Sequence, residues 1–296
     1  PGFAATIGAE WLGDAPLHRR QRRVVENDVD ASRCARHRAI VEDACLYDLD
    51  ALAADHGVRY LHLGTPWVQG AMRIQKSLSL ELEYIQRMMA WMLLRPSDQL
   101  TRGHAVQLGL GAAAITRFCH STLRMRTTAV ELNPSVIDAC RMWFRLPTES
   151  PRFQVLEMDA GDFAADPGRI ETVQALCVDL YDHDAAAPVL DSDAFYLDCH
   201  RLLADGGVMS VNLFGRDASF ERSAQRIVDA FGSEQVWSLR PTREGNTIVL
   251  AGKAIVMPDR ETLSVRADAI EARFKLPAKK WLKMIRPWLQ NLTPAT

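Results

Sequence analysis

The chain lacks the marks of several protein classes. No apolar run approaches the roughly 20 residues needed to cross a bilayer as a helix, so no membrane protein is expected. Its six cysteines (34, 45, 119, 140, 177 and 199) form no Cys-x-x-Cys pair, which speaks against a disulfide scaffold and for core thiols in a reducing, cytoplasmic setting. The eight histidines include no His-x-His or His-x-x-x-His spacing, and no metal is expected. Excess charge is missing too: 35 basic residues face 37 acidic ones, so nothing global favours nucleic acid as a partner. Pro1-Gly2-Phe3 opens no charged-then-apolar leader, and no secretory signal is expected. With 48% hydrophobic and 24% charged residues in 296, a folded globular chain remains.

The pattern divides the chain into four stretches. Residues 1–58 read as an arm and a helical segment, with the basic run at 18–23 solvated. Residues 59–96 read as a small β-hairpin domain and a linking helix; within it, apolar spacings of three and four over residues 80–94 predict the helix, closed by Pro96. Strands and helices then alternate over 97–256, predicting a parallel sheet covered on both faces. Strands are expected at 104–110, 127–132, 153–158, 173–178 and 208–214, and a terminal antiparallel hairpin at 235–239 and 246–253. Helices are expected at 112–123, 135–144, 195–203 and 220–231, with Arg117, Arg124 and Arg126 solvated around the first. Residues 257–296 form a tail whose tryptophans pack on the domain or on a partner subunit.

Chemistry concentrates at Leu108-Gly109-Leu110-Gly111-Ala112, between a strand and a helix. Glycines there let a ligand approach the backbone, and the helix start presents free N–H groups. Glu131 ends the next strand, twenty residues after Gly111, where a carboxylate can accept both hydroxyls of a ribose. A nucleoside-containing ligand follows. A nicotinamide dinucleotide is the weaker choice: Asp159-Ala160 ends the third strand, where the acid can accept from an adenine amino group, and the sheet closes on a hairpin. The fold class expected is therefore α/β, a Rossmann-like, class I methyltransferase-type sheet with a terminal antiparallel hairpin, preceded by a small N-terminal β-domain.

From about residue 60 to 253 the chain resembles the spermidine synthase (polyamine aminopropyltransferase) family, and more closely its divergent bacterial spermidine synthase-like branch. The resemblance is carried by WVQGAMR (67–73), Glu83-Tyr84, LGLGAAAITRF (108–118), VELNP (130–134), MDAGDF (158–163), Asp179-Leu180-Tyr181-Asp182 and FYLDCHRLLADGGVMSVNLF (195–214). It implies an enzyme, often a homodimer, that moves an aminopropyl group from decarboxylated S-adenosylmethionine to a small-molecule amine, releasing methylthioadenosine. It further implies that Gln69, Gly109, Gly111, Glu131, Asp159 and Ala160 hold the nucleoside, and that Asp179, Asp182 and Tyr84 form the catalytic, amine-binding side with Asp179 as general base. The family's glycine loop usually reads GGGDG, and Ala112 stands where its aspartate would be; Tyr84-Ile85-Gln86 replaces Tyr-His-Glu. Those departures keep two alternatives: a methyltransferase using S-adenosylmethionine itself, and a non-catalytic binding protein on the same fold.

Overall fold

Period-two alternation within each strand decides how the sheet is covered. In the computed structural model, which describes residues 45–48, 57–62, 68–180, 190–214 and 218–288, the parallel strands are β4 (His104–Leu108), β5 (Arg126–Glu131), β6 (Phe153–Glu157), β7 (Val173–Val178) and β8 (Leu203–Phe214). Antiparallel β9 (Val236–Ser238) and β10 (Asn246–Gly252) follow, with a two-residue edge strand, β11 (Arg286–Pro287), beside β9. The order is β11-β9-β10-β8-β7-β4-β5-β6. Ala105, Cys177, Val208 and Ile248 face one core, Val106, Leu176, Met209 and Val249 the other, as a sheet buried on both sides requires.

The second face is covered by α4 (Ala160–Ala165), α5 (Asp193–Leu202) and α6 (Ala218–Phe231). The first is covered by α1 (Glu83–Met88), α2 (Ala114–Arg117), α7 (Arg260–Phe274) and α8 (Ala278–Met284). An antiparallel sheet of β1 (Cys45–Asp48), β2 (Val58–His62) and β3 (Gly70–Arg73) precedes them. Its Leu61 and Met72 share a core with Ala112 and with Val136 and Ile137 of α3 (Pro134–Trp143), which ties the small sheet to the turn after β4. This is the fold class the sequence predicts. The basic run at 18–23 lies outside the described residues, and among those residues no helix is long and apolar enough to cross a membrane.

Four local expectations change. Cys45–Asp48, in the stretch expected as an arm and a helical segment, is strand β1, so the small β-hairpin domain expected from residue 59 is a three-stranded sheet that begins earlier. The helix expected at 80–94 is α1 continued as a 3₁₀ helix, Met89–Leu93; every residue from 88 to 94 is buried, so burial on all sides, not an amphipathic stripe, holds it. The helix expected at 112–123 is short α2 followed by a π-helical turn, Phe118–Thr122. Arg117, expected in solvent, is only 1% exposed. Its Nη1 donates to the carbonyls of Ala112 and Phe144 (both 2.6 Å) and its Nε to that of Ser77 (3.0 Å). Burial lowers its pKa to about 10, which leaves it charged at neutral pH.

The tail holds α7, which apolar spacing alone does not reveal: only Leu263, Ala267 and Ile270 are buried along its 15 residues. Asp259 caps it by accepting from the Thr262 N–H (2.7 Å). Beyond it Trp281 and Trp288 are buried at 1% and 5% exposure. Trp281→Ala is expected to destabilise the chain by about 3–5 kcal/mol, the usual cost of emptying a buried indole site. Thermal melting checks this; an unchanged Tm would mean the tail is no part of the core.

Candidate active site

Four neighbouring parallel strands, in the order β7-β4-β5-β6, end at Asp179, Gly109, Glu131 and, after Met158, Asp159. The turn after β4 is fixed from three sides. Gly109 has φ +84°, and a Cβ there would stand 2.2 Å from the carbonyl oxygen of Asp179. Gly111 has φ +50°, and its Cβ would lie 3.0 Å from the carbonyl oxygen of Gln69. Beneath them Gln107 donates through Nε2 to the carbonyls of Gly109 (2.7 Å) and Leu110 (3.1 Å), and accepts through Oε1 from the Thr116 N–H (2.9 Å) and hydroxyl (2.6 Å). All of its ordinary hydrogen-bonding capacity serves the turn. Gln107 is a functional support that the sequence reading missed; its signal is one amide inside the apolar strand HAVQL.

Glu131 joins this turn to the next strand. Its Oε2 accepts from the Leu110 N–H and its Oε1 from the Asn133 N–H, both at 2.9 Å. Burial raises its pKa, opposed by the backbone donors at Asn133, Leu110 and Leu132. Each oxygen keeps a lone pair for a ligand hydroxyl. Asp159 caps α4 through Oδ1, accepting from the N–H groups of Gly161 (2.7 Å) and Asp162 (3.2 Å), and Ala160 is buried behind it. The Gln69 Nε2 is buried with no hydrogen-bond partner among the described residues, as a donor awaiting a ligand would be. Leu132, next to Glu131, is 63% exposed and offers an apolar surface the sequence reading did not single out.

On the other side of Gly109 stands Asp179, half-buried just beyond the end of β7. Asn212 of β8 donates through Nδ2 to its Oδ1 (2.9 Å), and the Tyr84 hydroxyl of α1 donates to its Oδ2 (3.3 Å). Burial raises the pKa of Asp179, and these two donors pull it back. Asp182 and Tyr181 lie outside the described residues. The structure thus brings Tyr84 to Asp179, Asp179 to Gly109, Leu110 to Glu131, and Gln69 to Gly111. Cys119, Cys140, Cys177 and Cys199 are buried, and burial raises each thiol's pKa, that of Cys119 to about 12, so none is a ready nucleophile.

Gly109→Ala places a methyl group against the Asp179 backbone in a left-handed conformation, so about 1–3 kcal/mol of stability should be lost. Thermal melting checks this; a wild-type Tm would contradict the close approach.

No family model matches the chain. The polyamine aminopropyltransferase of Chromobacterium violaceum is 28% identical over 239 residues, 79% of this chain and 88% of that protein. That of Neisseria meningitidis serogroup A is 29% identical over 233 residues, 78% of this chain and 86% of its own length. Among solved structures, a probable spermidine synthase from Corynebacterium glutamicum superposes with a TM-score of 0.60 at 20% identity, covering 78% of this chain and 82% of that one. Human methyltransferase-like protein 13 in complex with SAH gives 0.55 at 20% identity, covering 70% and 96%. A spermidine synthase in complex with the transition-state analogue AdoDATO gives 0.53 at 14%, covering 76% and 80%. The structural likenesses establish the fold, and over about four fifths of its length the chain is a sequence relative of the polyamine aminopropyltransferases.

Proposed function

We propose that the chain is an aminopropyltransferase that uses decarboxylated S-adenosylmethionine as donor and an amine as acceptor. The observation that carries this reading is the half-buried Asp179 carboxylate, held by Asn212 and Tyr84, on a residue whose backbone is set against the glycine turn. In this reading Gln69, Gly109, Gly111, Glu131, Asp159 and Ala160 hold the nucleoside. The acceptor enters as an ammonium, attracted by Asp179. Its proton passes to the carboxylate, the freed nitrogen lone pair attacks the propyl carbon bonded to the sulfonium, and the carbon–sulfur bond breaks. Methylthioadenosine leaves as a neutral thioether, and the new secondary ammonium leaves after Asp179 returns its proton to water. Asp182 adds a second negative charge for a diamine. Holding nitrogen and carbon in line supplies much of the rate, and the base contributes roughly 10²–10⁴-fold.

One observation favours a second reading. Ala112, packed against Gly70, brings no carboxylate to the part of the site where the donor's tail would lie. A tail bearing its own carboxylate is then not repelled from the turn, which suits methyl transfer from S-adenosylmethionine. Calorimetric titration with the two donors separates the readings: preference for the decarboxylated one supports aminopropyl transfer, and preference for S-adenosylmethionine overturns it.

Asp179→Asn is expected to reduce release of methylthioadenosine by at least about 10²-fold while leaving its binding nearly unchanged. Full turnover in that variant would remove the base. Because burial raises the Asp179 pKa and only its ionised form accepts a proton, kcat/KM should fall with decreasing pH at a midpoint above the ordinary aspartate value. A midpoint at or below that value would contradict the assignment.

A further inference from the structure

A row of side chains stands behind Asp179. Asn246, where β10 begins after the hairpin, donates through Nδ2 to the Asn212 Oδ1 at 3.2 Å. The Thr242 hydroxyl donates to the Asn246 Oδ1 at 3.5 Å and accepts from the Asn246 backbone N–H at 3.2 Å. Among the described residues, the bonds from Thr242 to Asn246, from Asn246 to Asn212 and from Asn212 to Asp179 all run towards Asp179. The bonds shorten on the way, from 3.5 to 3.2 to 2.9 Å. Strand register produces the alignment: Asn212 pairs with Ile248, and Asn246, two residues along β10, lies on the same face as Ile248.

An amide has nearly the same shape at its two ends and opposite chemistry. Turned round, Asn212 would set its oxygen against the Asp179 carboxylate. The charge of the carboxylate opposes that orientation, and Asn246 opposes it further by donating to the Asn212 oxygen, so the NH₂ group faces Asp179. We propose that Asn212, oriented by Asn246 and Thr242, is a positioning residue that pins the Asp179 carboxylate through Oδ1 and turns Oδ2, beside the Tyr84 hydroxyl, to the incoming ammonium. The role rests on the reading of Asp179 as the base.

Among the described residues, the groups facing Asp179 come from four elements. From α1 comes the Tyr84 hydroxyl and from β8 the Asn212 amide; β4 contributes the backbone of Leu108 and Gly109; β7 itself carries Cys177, whose thiol burial keeps neutral. Removing the Asn212 donor leaves burial opposed by Tyr84 alone, so the carboxyl must titrate at higher pH.

Two variants and two readouts test this. In Asn212→Leu, the acid limb of kcat/KM should move up by about one pH unit, and kcat at neutral pH should fall roughly 10-fold or more, with binding of methylthioadenosine retained. Asn246→Ala should move the limb in the same direction by less. Carboxyl ¹³C NMR titration of Asp179 in aspartate-labelled protein should show both shifts without any acceptor present. Unshifted Asp179 titration in folded Asn246→Ala and Asn212→Leu would overturn the proposal; if Asn212→Leu fails to fold, Asn246→Ala decides. A wild-type protein that transfers nothing to any amine would refute the proposed function, while the NMR titration would still decide the role of Asn212.

Discussion

The strand ends of β4 and β7 approach so closely that only a hydrogen fits between the Gly109 Cα and the carbonyl of Asp179. That contact sets the geometry of both halves of the site. It fixes the backbone of Asp179 against the turn. It also forces the chain after Gly109 into a path that points the Leu110 N–H at Glu131. A side chain at 109 would have to move a strand end, and both strands are held by parallel pairing from residue 105 to 108.

The sheet gives up apolar packing to keep this arrangement. Gln107 and Asn212 occupy central strand positions on the face covered by α1 and α2, and Asp179 follows Cys177 on the same face. Burying an unpaired amide or carboxylate costs several kcal/mol, so these groups persist only because each has partners. Gln107 finds them in the turn and in Thr116, Asn212 in Asp179 and Asn246, and Asp179 in Asn212 and Tyr84. Arg117 follows the same rule, its charge spread over three main-chain carbonyls. The site is thus assembled largely from core side chains on regular elements, which hold geometry better than loops do.

Where the architecture of the candidate site depends on chain-local pattern, it was legible in the sequence. The glycine turn, Glu131 after the second strand and the closing hairpin all follow from residues near one another in the chain. So does the two-faced sheet, because period-two burial needs only a handful of neighbours. What stayed hidden depends on distant residues. Nothing local distinguishes Arg117 from a solvated arginine, since its partners lie up to 40 residues away. Gln107 and Asn212 read as strand residues until their partners are placed. The helix expected at 80–94 spans 83–93 and is α-helical as far as Met88; beyond it full burial lets tertiary packing choose 3₁₀ turns over propensity. The α7 helix lacked a strong apolar stripe, and its aspartate cap was the available signal.

These two kinds of legibility divide the site along a physical line. In the proposed reading the nucleoside side is held by backbone donors: bonds from Leu110 and Asn133 to Glu131, from Gly161 and Asp162 to Asp159, and the turn itself. Backbone donors survive most side-chain substitutions, so this half tolerates sequence change. The acceptor side is built on side chains from three distant elements, with Tyr84 95 positions and Asn212 33 positions from Asp179. A single replacement there alters what Asp179 can bind or how readily it takes a proton. Under the proposed function, donor recognition and acceptor recognition would be separable in this fold, because β4, β5 and β6 would carry the first while α1, β8 and the β9–β10 hairpin would carry the second.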